Sequence, residues 1–370
     1  MKKILLIANT SWYIYNFRRS LIKSLVDDGY GVLCAAPVDN YTEKLKSLGA
    51  EYVNIEYDNS SKNPFKDSLF LLKLIRIIKR QKPNVVLSFT IKANIYGGIA
   101  ARFCRIPIVA NVSGLGSMII SDSLLAKLPL MLYKFGLSKE SKIFFQNKAD
   151  LSLFKMNKVV VNQDTEVLPG SGVDLRWFSN SKKSNSKDKI IFLLAARLLK
   201  DKGIVESVDA IRLLKKNIEL HLLGQLWTKN PSQIKQHELD SWVNEGLVKY
   251  LGFTEDVRPH IENADVVILP SYREGMSKIL LEAASMSKPI IAADVPGCRE
   301  IVEDGQTGFL CRVRDSNDLA EKMIQMVELS NEERILMGKR GREKMEKEFD
   351  EKFVTNKYLE SIKKALMFKQ

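Results

Sequence analysis

Residues 266–284 read VVILPSYREGMSKILLEAA. Val266–Leu269 is a short unbroken apolar run, as expected of a strand buried on both faces. From Ser277 onward, Ile279, Leu280, Ala283 and Ala284 recur at helical spacing. The loop between holds Glu274 and Gly275. A buried strand that passes through a short polar loop into a helix is one half of a βαβ unit.

The same unit repeats in both directions along the chain. Towards the N-terminus, strands are expected at Ile4–Ala8, Val32–Ala36, Tyr52–Ile55, Val85–Phe89, Ile108–Val112, Ile143–Phe145 and Glu166–Leu168, with helices near 16–27, 66–81, 94–103, 121–136 and 147–156. A second series has strands at Ile190–Ala195, Glu219–Leu223, Val248–Leu251, Val266–Leu269, Ile290–Ala292 and Gly308–Cys311. Its helices lie near 203–215, 232–244, 277–286, 316–328, 331–347 and 351–367. Between the two series, residues 179–189 (SNSKKSNSKDK) contain no apolar side chain, as a surface linker would. The expected fold class is α/β, with two doubly wound, Rossmann-like domains at 1–178 and 190–350 and a last helix, about 351–370, packing back on the first. Such sheets bind ligands at the carboxyl ends of their strands, and two facing domains enclose a cleft.

Composition narrows the function classes. The chain has 370 residues, 45% of them hydrophobic and 27% charged, enough for two cores. Its four cysteines (Cys34, Cys104, Cys298, Cys311) and three histidines (His221, His237, His260) show no metal-ligand spacing and no disulfide framework. A reducing, cytoplasmic setting fits them. Ile4–Ala8 is too short for a secretory apolar region, and no stretch has the length of a membrane span. Charge is uneven: residues 1–175 hold 24 Lys and Arg against 14 Asp and Glu, the rest 33 against 30. A basic N-terminal half suits an anionic partner, or is simply a solvated basic surface.

The strand-to-helix loops carry the chemistry. Gly275 permits a tight turn, and the amides of Gly275, Met276 and Ser277 at a helix start offer an anion site. Glu282 is a carboxylate within an apolar helix and needs a hydrogen-bond partner, which sugar or ribose hydroxyls would supply; a dipole-favoured acid is the plainer reading. Arg197 and Lys202 flank a turn that ends in Gly203, where two cations would grip a diphosphate. The plainer reading there is a solvated basic turn. Gly224 and Gly252 follow strands and, like Gly297 and Gly308, are each compatible with a simple turn.

Taken together, Arg197, Lys202, Gly224, Gly252, the Glu274–Glu282 pair, the segment Val295–Leu310 and VLPGSGVD at 167–174 resemble glycosyltransferase family four, which has the GT-B fold. The resemblance spans residues 3 to 365. It implies retaining transfer from a nucleotide-sugar, most often a UDP-sugar, to give an α-linked product. It assigns Arg197 and Lys202 to the donor diphosphate, Glu274 to the donor sugar and Glu282 to the ribose. It implies no cofactor and no metal; the sequence has no Asp-x-Asp pair to hold one. The acceptor proton would pass to the departing phosphate oxygen.

Thr10–Arg18 and Asn111–Ser117 resemble bacterial transferases that extend lipid-linked O-antigen or N-glycan precursors, often with N-acetylhexosamines. Many relatives place a histidine after the fifth strand where this chain has Ser113. Gly114 and Gly116 still allow close backbone approach there. The implied partner is a lipid-diphosphate-linked sugar, taken by the N-terminal domain, with Arg18, Arg19 and Lys92 expected on loops or helix starts and Arg18 and Lys92 as candidate contacts. Residues 117–135 and the lysine-rich helix 66–82 are candidate faces for peripheral contact with an anionic membrane, at the inner face of the cell membrane; a core-facing helix is the alternative for 117–135. A GT-B nucleotide-sugar epimerase or phosphorylase would need a catalytic set not visible here. A nucleic-acid-binding protein is permitted by the net charge of +13, but no helix-turn-helix, zinc-finger or RNP-type pattern is present. A non-catalytic scaffold fits poorly with the intact charged set.

Overall fold

The computed structural model describes residues 1–56, 63–114, 124–137, 142–179, 189–214, 218–226 and 230–367. The chain forms two compact units: Met1–Ser171 with Glu351–Gln370, and Gly172–Asp350.

Unit 1 runs β1 (Lys3–Ile7), α1 (Ser11–Asp27), β2 (Gly31–Ala36), α2 (Thr42–Lys46), β3 (Glu51–Asn54), α3 (Pro64–Gln81), β4 (Val85–Phe89), α4 (Ile91–Phe103), β5 (Ile108–Val112), α5 (Leu124–Gly136), β6 (Lys142–Phe145), α6 (Lys148–Met156) and β7 (Asp164–Val167). Among the described residues its strands form one parallel sheet in the order β3-β2-β1-β4-β5-β6-β7. Side chains alternate across the sheet. Ile4 and Leu6 of β1 pack with Ile14 and Leu21 of α1, whereas Leu5 and Ile7 pack with Phe70 and Leu74 of α3 and Ala93 of α4. Burial on both faces is why β2, and β1 beyond Lys3, are uniformly apolar. Each such leucine contributes about 2 kcal/mol by leaving water.

Unit 2 runs β8 (Ile190–Ala195), α7 (Ile204–Leu213), β9 (Ile218–Leu223), α8 (Gln236–Asn244), β10 (Val248–Tyr250), α9 (Arg258–Asn263), β11 (Val266–Leu269), α10 (Lys278–Ser285), β12 (Ile290–Ala293), β13 (Gly308–Cys311), α11 (Ser316–Glu328) and α12 (Asn331–Glu348). Its described strands form a parallel sheet in the order β10-β9-β8-β11-β12-β13. The last helix, α13 (Glu351–Met367), returns to unit 1, where Val354, Tyr358 and Ile362 join the core beside α1.

Two helix expectations need correction, and two helices were not expected. Helix α1 begins at Ser11, not near 16, because the Thr10 side chain caps the Tyr13 amide and starts the helix inside the aromatic segment. Helix α8 starts at Gln236, after the bridge from Leu199 to Gln233 has used the preceding residues. Helices α2 and α9 are too short to show helical periodicity in the sequence. Residues 180–188 of the linker and 117–123 of the apolar stripe lie outside the described residues.

Candidate active site

The strand order of unit 2 reverses at β8. Its successor β9 lies on one side and β11 on the other, which makes β8 and β11 the switch point of the sheet, where such folds bind ligands at the carboxyl edge. Arg197 and Lys202 stand on the loop after β8 and Glu274 on the loop after β11, with Glu282 in the helix that follows.

After β8, Arg197 is exposed, and Lys200–Lys202 form a 3-10 turn closed by Gly203 with φ +73°. A Cβ on Gly203 would lie 2.2 Å from the Pro270 carbonyl oxygen, so the turn rests directly on the loop after β11. The Tyr272 amide donates to the Asp201 carbonyl at 2.9 Å and fixes the same approach. The result is a close ion pair: Lys202 Nζ donates to Glu274 Oε1 at 2.5 Å, with side chains only 18% and 12% exposed. Partial burial strengthens such a pair over one on the open surface.

The glycines earn their place sterically at one position above all. Gly224, φ +150°, ends β9 against β8, and a Cβ there would sit 1.7 Å from the Ala196 oxygen. Its amide donates to the Gly252 carbonyl at 2.7 Å, which ties the ends of β9 and β10 together beside Arg197.

At the start of α10 one expectation is overturned. The Ser277 amide is not open to an anion; it donates to the Gly297 carbonyl at 3.1 Å. The turn around Gly297 reaches it because that residue has no Cβ: one would lie 2.7 Å from the Gly275 oxygen and 2.8 Å from that of Glu274. Gly275 and Met276 lie on the bend between Glu274 and this helix start. Glu282 is 7% exposed. Burial raises its carboxyl above the usual carboxylate range, and Lys278 opposes that shift from 3.6 Å. Lys278 went unnoticed in the sequence, although its i,i+4 spacing from Glu282 was a usable signal.

In unit 1 the candidate acceptor residues are dispersed. Lys92, in the first turn of α4, pairs with Asp67 of α3 at 2.6 Å, and the Tyr96 hydroxyl donates to the other oxygen of Asp67 at 2.9 Å. Ser113 and Gly114 are half-buried just past β5; Gly116 lies outside the described residues. Arg18 is not at a loop or helix start. It sits in the middle of α1 and is 2% exposed, because the early helix start turns it toward the sheet.

Two doubly wound units, one with cations and acids converging on its switch point, are the build of a glycosyltransferase. Residues 189–329 match the family described as "glycosyl transferases group 1", and residues 3–147 match "glycosyl transferase 4-like". Over 362 residues, 94% of each chain, this one is 30% identical to the N,N'-diacetylbacillosaminyl-diphospho-undecaprenol alpha-1,3-N-acetylgalactosaminyltransferase of Campylobacter jejuni. It is 24% identical over 71% of each chain to the UDP-Gal:alpha-D-GlcNAc-diphosphoundecaprenol alpha-1,3-galactosyltransferase of Escherichia coli. The crystal structure of Anabaena HepE in complex with UDP and glucose superposes with a TM-score of 0.82 at 19% identity, covering 98% of this chain and 100% of that one, which shows a common GT-B fold. The chain belongs to glycosyltransferase family four.

Proposed function

We propose that the protein transfers an N-acetylhexosamine or hexose from a UDP-sugar to a saccharide carried on a lipid diphosphate, forming an α-linkage with retention and without a metal, in the assembly of a surface polysaccharide or glycan precursor. Unit 2 takes the donor and unit 1 the acceptor. The observation that carries this reading is the close Lys202–Glu274 pair at the unit 2 switch point. It joins a cation suited to a diphosphate with an acid suited to sugar hydroxyls. The names of the two relatives, both acting on undecaprenol-diphosphate-linked acceptors, support the acceptor class.

In the step itself the anomeric carbon–oxygen bond to the diphosphate breaks, and a bond to the acceptor oxygen forms on the same face. The acceptor hydroxyl proton passes to the departing phosphate oxygen. Negative charge grows on that oxygen, and Arg197 and Lys202, already oriented, stabilise it more in the transition state than before it. Glu274 accepts from the donor sugar, and Glu282 from the ribose. The basic, partly apolar face of unit 1 rests on an anionic membrane surface, which places the reaction at the inner face of the cell membrane.

A screen of UDP- and GDP-sugars against a synthetic polyprenyl-diphosphate sugar, with and without EDTA, tests this. The expected product is α-linked and forms equally in both conditions. A β-linked product, or activity lost on chelation and restored by a divalent ion, overturns the mechanism.

A further inference from the structure

Unit 1 holds a group of polar atoms that the proposed donor chemistry does not use. Arg18 is 2% exposed, and among the described residues its Nε and Nη2 atoms have no hydrogen-bond acceptor. Its guanidinium carbon lies 4.5 Å from the ring centre of Phe89 and 5.3 Å from that of Tyr358. These ring contacts leave the Nε and Nη2 protons unanswered. The Tyr13 hydroxyl is likewise buried and unpartnered, and the Tyr358 hydroxyl and the Asn111 amide are buried beside each other within hydrogen-bond reach. Arg18 and Tyr13 lie within electrostatic reach of Tyr358.

The position of this cluster is informative. The sheet of unit 1 reverses at β1 and β4, just as that of unit 2 does at β8 and β11. Phe89 ends β4, and Asn111 stands beside it, between Phe89 and Phe144 in register. Just beyond those strand ends, half-buried Asn9 and Thr90 add two more buried, unpartnered oxygens, Oδ1 and Oγ1. Thr90 also adopts φ 75°, an unusual conformation for a β-branched residue.

A guanidinium whose Nε and Nη2 are buried with no acceptor is unfavourable in a core, where an apolar side chain would be cheaper. Its planar fork matches two oxygens of a phosphoryl group, and the neighbouring hydroxyls and amide add neutral donors around the same point.

We propose that Arg18, with Tyr13, Asn111 and Tyr358, forms an anion site that holds a phosphoryl group of the acceptor's diphosphate. This rests on the lipid-diphosphate acceptor proposed above and names the side chains that grip it.

The test is calorimetric titration of the full chain with inorganic pyrophosphate in saturating UDP, which fills the nucleotide site. It is paired with initial-rate kinetics on a polyprenyl-diphosphate sugar. In Arg18→Met the pyrophosphate Kd should rise at least about tenfold, the loss of one charge-assisted hydrogen bond. The acceptor KM should rise by a similar factor while the donor KM stays put. Tyr358→Phe removes only a hydroxyl, which stands within hydrogen-bond reach of the Asn111 amide, so it should shift the melting temperature by no more than a few degrees and still weaken pyrophosphate several-fold. Unchanged pyrophosphate affinity in folded Arg18→Met or Tyr358→Phe overturns the site. Weakened pyrophosphate with an unchanged acceptor KM assigns the pocket to free phosphate and overturns the acceptor assignment. Absence of turnover with every acceptor overturns the transferase reading instead, and the titration still decides the pocket.

Discussion

At the scale of single residues, the site sets binding against stability. In the proposed mechanism Arg197 and Lys202 meet charge that develops only as the donor bond breaks. Arg197→Ala and Lys202→Ala should each lower kcat by at least about 10²-fold, the scale for removing one transition-state charge stabiliser. Single-turnover rates check this, and near-normal rates in both variants would remove them from the mechanism. Glu282 is the converse case. In the unfolded chain its carboxyl ionises near pH 4.3, roughly. In the fold, burial raises that value, with Lys278 opposing. Its contribution to stability is therefore fully present below the ordinary carboxylate value and is lost as pH rises through the raised one. Glu282→Gln should melt higher than the parent at pH 8, with the gap closing toward pH 4, while UDP binds about tenfold more weakly. A gap that widens on acidification would contradict this. The strand-to-helix positions of Arg197, Lys202 and Glu274, and of Glu282 in the helix that follows, were legible in the sequence. The Lys202–Glu274 contact was not, since it spans 72 positions and exists only because Gly203 lets two loops touch. Nor was the burial of Arg18. Arg18 and Arg19 were expected on a loop or helix start, and only the helix start at Ser11 turns Arg18 inward.

At the scale of elements, apolar runs announced the strands well because a parallel strand buried on both faces leaves little room for polar residues. Helix starts were less visible. Trp12, Tyr13, Tyr15 and Phe17 obscure the apolar spacing of α1, and its cap is a single threonine. How closely helices approach was not visible at all, and two adjacent glycines in α4 make the point. A Cβ on Gly98 would lie 1.9 Å from the Gly136 carbonyl oxygen at the end of α5. One on Gly97 would meet only the side chains of Ile7 and Ser88, at 3.4 Å and 3.7 Å. In isolation either substitution to alanine favours a helix by about 1 kcal/mol. Gly97→Ala should therefore be neutral or stabilising within about that amount. Gly98→Ala must push α5 away from α4 and should cost about 2–3 kcal/mol. Denaturant unfolding of the two variants separates them; equal stability would mean that the α4–α5 contact is looser than it stands here.

At the scale of the whole molecule, the proposed acceptor is a lipid, while no described helix is long and apolar enough to cross a bilayer. The proposed docking is peripheral, from the membrane surface. Unit 1 offers a face for this, since α3 packs on α4 and α4 on α5. Phe65, Leu69 and Leu72 of α3, Phe103 of α4, and Leu128, Met131 and Phe135 of α5 are exposed. Lys66, Lys73, Arg76, Lys79, Arg80 and Lys134 on the same helices are exposed as well, and Lys79 Nζ lies 5.1 Å from the ring centre of Phe103. Apolar side chains among cations suit the interface of an anionic bilayer, where each nearby Lys or Arg adds about 1 kcal/mol at physiological salt. The two contributions respond differently to conditions. Salt screens the charges within a Debye length but leaves the apolar contribution in place. Binding to vesicles containing phosphatidylglycerol should therefore fall by at least about tenfold between 0.05 and 0.5 M salt, as two or more screened contacts require. Lys66→Glu with Lys73→Glu should lower it by a similar factor at low salt, without changing turnover on a short-chain, water-soluble acceptor. Flotation assays measure the first and initial rates the second. Equal binding to neutral and anionic vesicles would mean that the basic excess of unit 1 plays no part in docking.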